Sequence, residues 1–206
     1  MGITFSITES EQLIHAMKYN LTTTTTIIES LSIGCDQLID TLSSSELNGI
    51  AYNSGKELFL GVIVPSITKI KMAIDDIQTD LHSYEQAHSV VSEYGNLDMS
   101  NLKKQLKLKQ QQLDQVTAQL KRNQDFFNKV QSVVIGDLEN IWSQNYVLNQ
   151  IKSHLEFGIE DLNTRIDKLS WFISNVGNYF SDSLTVLDLA IQSVTELRQV
   201  TDEENE

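Results

Sequence analysis

Apolar residues recur at alternating spacings of three and four along four stretches of this chain. The stretches cover residues 14–42, 67–91, 113–134 and 159–180. A 3.5-residue apolar repeat is typical of a helix that lays one narrow seam against another helix. The pattern therefore predicts an all-α fold, an elongated bundle of long antiparallel helices that pack as in a coiled coil.

The first helix is predicted to begin at Thr8. Thr8 and Glu11 fit a capping box, in which each side chain accepts a hydrogen bond from the other residue's backbone amide. Serine, asparagine and glycine at 43–49 favour a tight turn for separate conformational reasons. A second helix, antiparallel to the first, is then predicted over residues 49–93.

Two further turns are predicted from polar residues and from a change in the apolar repeat. Residues 94–100 form the first of them, with Ser100 as the N-cap of the third helix. After Val134 the repeat changes phase at Gly136, either as a stutter in one continuous helix or as the start of a turn, and the polar residues 143–145 are the other candidate turn. We therefore expect the third turn between residues 136 and 145.

Pro65 interrupts the second helix. Proline removes one backbone hydrogen bond, and its ring crowds the carbonyl four residues earlier, which belongs to Gly61. We therefore predict a helix kink at Gly61 and Pro65.

The same part of the second helix carries more apolar residues than one seam can bury. The seam is predicted to bury Leu60, Ile63 and Ile67. A helix that is apolar on several faces must be covered by more protein. Either the third and fourth helices or an external helical partner would provide that cover. The candidate partner-binding residues on these other faces are Leu58, Phe59, Val62 and Val64.

Composition and charge narrow the class of partner. One proline and 9 glycines favour few, long elements. Residues 1–99 carry 13 acids and 4 bases, residues 100–135 carry 2 acids and 7 bases, and residues 136–206 carry 13 acids and 4 bases. The net charge of −13 disfavours nucleic acid and anionic membrane as partners. The basic lysines near the start of the third helix are expected to pair with acidic neighbouring helices.

Chemistry-bearing motifs are missing from the sequence. The four histidines are scattered, without the i, i+4 spacing of helical metal ligands. Cys35 falls in the first seam, where a free thiol behaves as a small hydrophobe. The apolar run at 58–64 is shorter than the roughly 20 residues that span a bilayer. We predict no catalytic residue, no cofactor, no metal site and no stable membrane insertion.

The segment Leu47-Asn48-Gly49, followed by a small and polar stretch, an apolar run and Pro65, resembles the LXG domain. Tyr84 and residues 97–102, at the start of the third helix, also resemble this family. The first half of the chain is similar to the WXG family of small secreted helical hairpins. The resemblance covers essentially all 206 residues, although no Trp-x-Gly motif is present.

The resemblance implies a targeting domain without catalytic activity. LXG domains form the N-terminal part of polymorphic toxins that Gram-positive bacteria export by type VII secretion in interbacterial competition. Small WXG-like helical proteins encoded nearby bind the LXG helices, and a membrane ATPase of the secretion system receives the assembly. The protein would be made in the cytoplasm without a cleavable signal peptide and then secreted.

On this interpretation residues 1–206 form one LXG-type domain. Residues 1–95 form a WXG-like helical hairpin with the Leu-x-Gly turn, and residues 96–200 form two or more further long helices. Residues 201–206 are expected to be a frayed tail or a linker to a missing C-terminal toxin domain.

Two other functional classes remain open. The chain is alternatively a self-associating coiled-coil scaffold or tether, whose seams bind further copies. A helical-bundle enzyme with a carboxylate metal site is the third class. That site needs a Glu-x-x-His motif on each of two facing helices, and the sequence does not supply two such motifs.

Overall fold

The computed structural model describes residues 2–43, 49–129, 135–189 and 192. The fold is all-α, with long helices packed antiparallel, as the apolar repeats predict. The described helices are α1 (Ile7–Leu42), α2 (Ile50–Leu58), α3 (Val64–Ser92), α4 (Met99–Lys129), α5 (Ile135–Val176) and α6 (181–189).

The chain divides into two compact units. The first unit comprises Met1–Ile7 and Val90–Ile173, and the second unit comprises Thr8–Ser89 and Ser174–Glu206. Each unit joins two segments that are distant in the sequence, so each contains long-range packing.

In the second unit α1 runs antiparallel to α3. Ser10, near the start of α1, hydrogen-bonds through its Oγ with the Tyr84 hydroxyl at 2.9 Å and with His88 Nδ1 at 2.7 Å. Three turns or more further along α1, Ser32 accepts a hydrogen bond from Lys71 Nζ at 2.9 Å. The start of α1 thus contacts the end of α3, and a later part of α1 contacts an earlier part of α3, as in an antiparallel pair.

The core of the second unit joins the two predicted seams. Ile28 and Cys35 from α1 are buried together with Ile67 and Ile74 from α3. Of the described positions in these two seams, all are buried or half-buried except Leu31 and Leu38. Further partly buried residues packed against this cluster are Leu21, Phe59, Ile63, Val64 and Ile70.

A π-helical turn at Phe59–Ile63 joins α2 to α3. The backbone amide of Val64 donates to the carbonyl of Phe59, five residues earlier, as in a π-helix. Pro65 has no amide to donate to the carbonyl of Gly61, so the regular i to i−4 pattern cannot continue there. This π-helical turn lies at the place where the sequence predicts a kink, and a bend of the helix axis at Gly61 and Pro65 stays a prediction.

The π-helical turn also changes the phase of the apolar seam. Leu60 is exposed, so the prediction that it lies buried with Ile63 and Ile67 is wrong for this residue. Ile63 is half-buried and Ile67 is buried. A wider helical turn holds an extra residue, which rotates the positions before it relative to those after it.

A carboxylate of α3 binds the start of α6. Asp80 Oδ2 accepts hydrogen bonds from the Phe180 backbone amide at 2.9 Å and from Ser183 Oγ at 3.3 Å. Phe180 has a φ of 68°, in the left-handed region that is unfavourable for a bulky side chain. Its ring lies 6.5 Å, centroid to centroid, from that of Tyr84. Contacts with α3 thus compensate an unfavourable backbone conformation.

The first unit begins with a two-residue antiparallel strand pair that the apolar repeats do not predict. Strand β1 (Thr4–Phe5) pairs with β2 (Leu97–Asp98). Phe5 is buried, and its ring meets that of Phe172 edge to face at a centroid distance of 5.0 Å. The strand pair therefore holds the chain's N-terminal residues against the segment that precedes α4.

The start of α1 differs from its prediction. The backbone amide of Ile7, the first helical residue, donates to Asn96 Oδ1 at 2.9 Å. Thr8 lies inside the first turn, so the predicted capping box of Thr8 and Glu11 is wrong. A side chain 89 positions away thus accepts the hydrogen bond of the first helical amide.

The N-cap of α4 is also displaced from its predicted position. Asp98 Oδ1 accepts a hydrogen bond from the Asn101 backbone amide at 3.0 Å. Ser100 lies inside the helix, so Asp98 and not Ser100 is the N-cap. Gly95, in the preceding turn, has a φ of 78°, a conformation that glycine adopts without steric cost.

In the first unit α4 runs antiparallel to α5. Asn123 of α4 contacts Asn145 of α5, whereas Lys109, earlier in α4, lies over Gly158, later in α5. The lysine Nζ is 2.7 Å from the position that a Cβ on Gly158 would occupy. On α5, Leu155, Leu162 and Leu169 are buried.

The prediction of a turn between residues 136 and 145 is wrong. These residues belong to α5, which begins at Ile135, and α4 ends at Lys129. The polar residues at 143–145 suggested a turn, but Asn145 makes a hydrogen bond to the facing helix. The connection at 130–134 lies outside the described residues, as do Leu47, Asn48 and the tail at 201–206.

Ion pairing of the α4 lysines with acidic helices is not found among the described residues. Ion pairs that the structure does describe join Lys18 to Glu85, Lys152 to Glu156 and Arg165 to Asp161. Exposed pairs of this kind each contribute only about 0–1 kcal/mol. Apolar seams and buried hydrogen bonds therefore account for more of the described packing than ion pairs do.

We expect Leu169→Ala to lower the free energy of unfolding by about 3–5 kcal/mol, because it empties a fully buried position. Leu108→Ala in α4 is the matched control, since its side chain is exposed and the substitution removes the same atoms. Urea denaturation followed by circular dichroism measures both. Equal losses in the two variants would contradict the burial of Leu169.

We expect Asp80→Ala to destabilise α6, because the Phe180 amide and the Ser183 hydroxyl lose their acceptor. The cost expected for such hydrogen bonds to a charged group is about 1–3 kcal/mol. Hydrogen exchange at the Phe180 amide should accelerate in this variant. Asp76→Ala, at an exposed position one turn earlier in α3, is the control and should leave that exchange rate unchanged.

Candidate partner-docking surfaces

The motif that carries the family resemblance is only partly described. Gly49 is the N-cap of α2 and has φ 162° and ψ 161°, an extended conformation that any residue adopts. A Cβ at this position would meet Tyr52 Cδ2 at 3.7 Å, which is ordinary van der Waals contact. The backbone therefore shows no conformational need for glycine at this position of the motif.

The four candidate partner-binding residues of the second helix are all half-buried. Phe59 and Val64 pack against the buried cluster of the second unit. Leu58 and Val62 also retain only part of their surface. These residues thus contribute to the packing of their own unit. Only part of each side chain remains accessible to a partner.

A more exposed apolar stripe lies on α1. Ile27, Leu31 and Leu38 are 59%, 47% and 38% exposed. Gly34 lies between the two leucines. Ile27, Leu31, Gly34 and Leu38 follow one another at spacings of 4, 3 and 4, which places them on one side of the helix. A Cβ on Gly34 would meet nothing within 4 Å. We call these four residues the α1 stripe.

A second apolar surface lies in the first unit, between α4 and α5. Trp142 and Tyr146 are 71% and 67% exposed, and they border a groove of about 730 Å³. The rings of Phe127 and Trp142 meet edge to face at a centroid distance of 6.1 Å. We call this the aromatic groove; its lining residues are Thr117, Leu120, Lys121, Gln124, Phe127, Asn128, Trp142, Asn145, Tyr146, Asn149 and Lys152.

The charged side chains that line the aromatic groove are both cationic. Lys121 comes from α4 and Lys152 from α5, and no carboxylate lines the groove among the described residues. Lys152 Nζ lies 3.7 Å from Glu156, one turn further along α5, and both side chains are substantially exposed. Water screens such a pair strongly, so the groove keeps a positive character.

Hydrogen bonds between amide side chains fix the two walls of the aromatic groove. Asn123 is buried, and its Nδ2 donates to Asn145 Oδ1 at 2.6 Å. Gln119 Nε2 in turn donates to Asn123 Oδ1 at 2.9 Å. A buried asparagine in an otherwise apolar seam favours the one register in which its partner faces it.

One arrangement in the second unit has the geometry of a nucleophile and a base. Ser10 Oγ lies 2.7 Å from His88 Nδ1, and Tyr84 completes the network at 2.9 Å. Ser10 is only 5% exposed, however, and Tyr84 is buried as well. The network is therefore a satisfied polar contact between α1 and α3, in line with the packing position of His88 in the second seam.

The described residues contain no group of three or more histidine, cysteine or acidic side chains placed to hold a metal ion. Cys35 is a buried free thiol. Among the helices described here, none combines the length and the apolar character that crossing a membrane requires.

Comparison of the chain with protein-family models, with curated proteins and with solved structures found no match in any of the three.

We expect Asn145→Ala to cost about 1–3 kcal/mol of stability, because it leaves a buried amide donor of Asn123 without its acceptor. Asn149→Ala, at an exposed position one turn along the same helix, should cost close to nothing. The double variant Asn123→Ala with Asn145→Ala should lose less than the sum of the two single variants. Additive losses in urea denaturation would contradict a direct coupling between the two side chains.

Proposed function

We propose that this chain is a non-catalytic docking domain that binds small helical partner proteins through the α1 stripe. The observation that supports the proposal is the exposure of Ile27, Leu31 and Leu38 on one side of a long helix. Monomeric proteins rarely leave regularly spaced apolar rows open to water, and such rows are typical of helix-docking surfaces.

The spacing of the α1 stripe suits a helical partner. Positions separated by 4, 3 and 4 residues form a row that follows the helix axis. Gly34 lies within this row, and a small residue allows a partner helix to approach closely. A partner helix with its own apolar seam would bury all four positions together.

The proposed biological setting is type VII secretion, and it rests on the resemblance to the LXG domain. In that setting the chain is the targeting part of an exported antibacterial toxin, and the toxin activity lies in a separate C-terminal domain. The docked partners are WXG-like helical proteins encoded nearby, and the assembly is delivered to the secretion ATPase. The half-buried residues Leu58, Phe59, Val62 and Val64 would border the same partner.

We expect the double variant Leu31→Glu with Leu38→Glu to lose its complex with small helical proteins encoded beside its gene. Two carboxylates would be placed in an apolar contact, and each lost leucine contact is worth about 1.5–3 kcal/mol, or roughly tenfold or more in affinity. Co-expression followed by affinity purification and light scattering measures the complex. Gln37→Glu adds a carboxylate at another exposed position of α1 and should leave the complex intact.

Two results would contradict this proposal. One is a wild-type chain that forms no complex with any of the neighbouring helical proteins. The other is self-association of the wild-type chain that the double variant abolishes, which would favour the coiled-coil scaffold instead.

A further inference from the structure

We infer that the aromatic groove of the first unit is a second docking site, for an acidic amphipathic helix of another protein. The groove lies between α4 and α5, whereas the α1 stripe belongs to the second unit. The inference therefore goes beyond the proposed function, and either can hold without the other.

The exposure of the two aromatic rings is the first argument. Trp142 and Tyr146 lie one turn apart on α5, and each is more than half exposed. Aromatic side chains offer about 150–250 Å² of surface each, and tryptophan and tyrosine dominate the energetics of protein interfaces. Two such rings side by side form an anchor point that nothing in the described part of the first unit covers.

The fixed geometry of the groove is the second argument. The edge-to-face contact between Phe127 and Trp142 joins one wall to the other. The hydrogen bond from Asn123 to Asn145 holds the two helices in register beneath the rings. A groove whose walls are already ordered loses less conformational entropy on binding, which favours affinity.

The size of the groove indicates a helix as its occupant. Lys152 lies ten residues after Trp142 on α5, which corresponds to about 15 Å along a helix axis. Packed helices approach to about 8–10 Å, so a third helix fits against the pair α4 and α5 with its side chains in the groove between them. About three turns of a partner helix would occupy the length from Trp142 to Lys152.

The charge of the groove selects an acidic partner. Lys121 and Lys152 line the groove without a carboxylate, and α4 carries seven basic and two acidic residues. Glutamates beside the apolar seam of the partner would meet these lysines. The net charge of −13 opposes an acidic partner at long range, but charges beyond about 8 Å are largely screened at physiological salt. The lysines of the groove therefore attract the carboxylates of a docked helix more strongly than the distant acidic residues repel them.

The same charge disfavours a second copy of this surface as the occupant. Two aromatic grooves placed face to face would bring Lys121 and Lys152 of one copy against those of the other. Like charges brought together in an interface weaken it. The groove thus favours a helix of a different protein over the same groove of a second copy of this chain.

The test uses the full chain and two synthetic helical peptides as probes. Both peptides have leucines at spacings of three and four; one carries glutamates beside that seam and the other carries lysines at the same positions. Fluorescence anisotropy of the labelled peptides gives the dissociation constants at low and high salt. We expect the glutamate peptide to bind at least tenfold more tightly than the lysine peptide, and the difference to shrink at high salt.

Variants assign the binding to the groove. Trp142→Ala should weaken the glutamate peptide at least tenfold, and circular dichroism should show that the helices persist, because this side chain is mostly exposed. The double variant Lys121→Glu with Lys152→Glu should reverse the preference between the two peptides. Phe157→Ala removes another exposed ring of α5 that does not line the groove, and Lys103→Glu reverses an exposed charge outside it. Both controls should bind as the wild-type chain does.

Four results would overturn the inference. They are the failure of both peptides to bind, equal binding of the two peptides, a loss in Phe157→Ala as large as in Trp142→Ala, and dimerisation of the chain through Trp142. The variant Leu31→Glu with Leu38→Glu should keep the peptide affinity. Failure of the α1 stripe as a docking site is therefore distinguishable from failure of the groove.

Discussion

The narrowness of the apolar seams is the constraint on which the rest of this structure depends. A repeat of 3.5 residues buries a single row on each helix and leaves the flanks of that row open. In the second unit Ile28 and Cys35 are buried, whereas Ile27, beside the seam, and the seam positions Leu31 and Leu38 remain exposed. Apolar residues beside a narrow seam, and seam positions that the facing helix does not cover, thus create surfaces suited to a further helix.

Polar contacts decide how the helices align along these seams. An apolar row alone tolerates a shift by one repeat, because leucine meets leucine in either register. The pair Asn123 and Asn145 in the first unit and the network of Ser10 with Tyr84 and His88 in the second are satisfied in one alignment only. The asparagine pair links sequence to geometry in the first unit, since it sets which exposed side chains lie together in the aromatic groove.

The sequence predicted the helices and seams because periodicity is a local property that each helix carries alone. Prediction from the sequence failed where a residue distant in the chain decides the local structure. The amide of Ile7, the first residue of α1, has its acceptor on Asn96, and Asn145 has its hydrogen-bond partner on Asn123 of the facing helix. The π-helical turn moved Leu60 out of the seam. The exposure of the seam residues Leu31 and Leu38 and the aromatic groove were missed because spacing does not reveal which side of a helix its neighbour covers.

The attachment of α6 has a consequence for the order in which the chain folds. Asp80 and Phe180 are separated by 100 residues, so the contact closes a very large loop. Contacts of such long range are entropically costly and form late, after local helices have already cut down the available conformations. On a ribosome this contact can close only after Phe180 has emerged, long after α1 and α3. We therefore expect α6 to be the last described helix of the second unit to pack during folding.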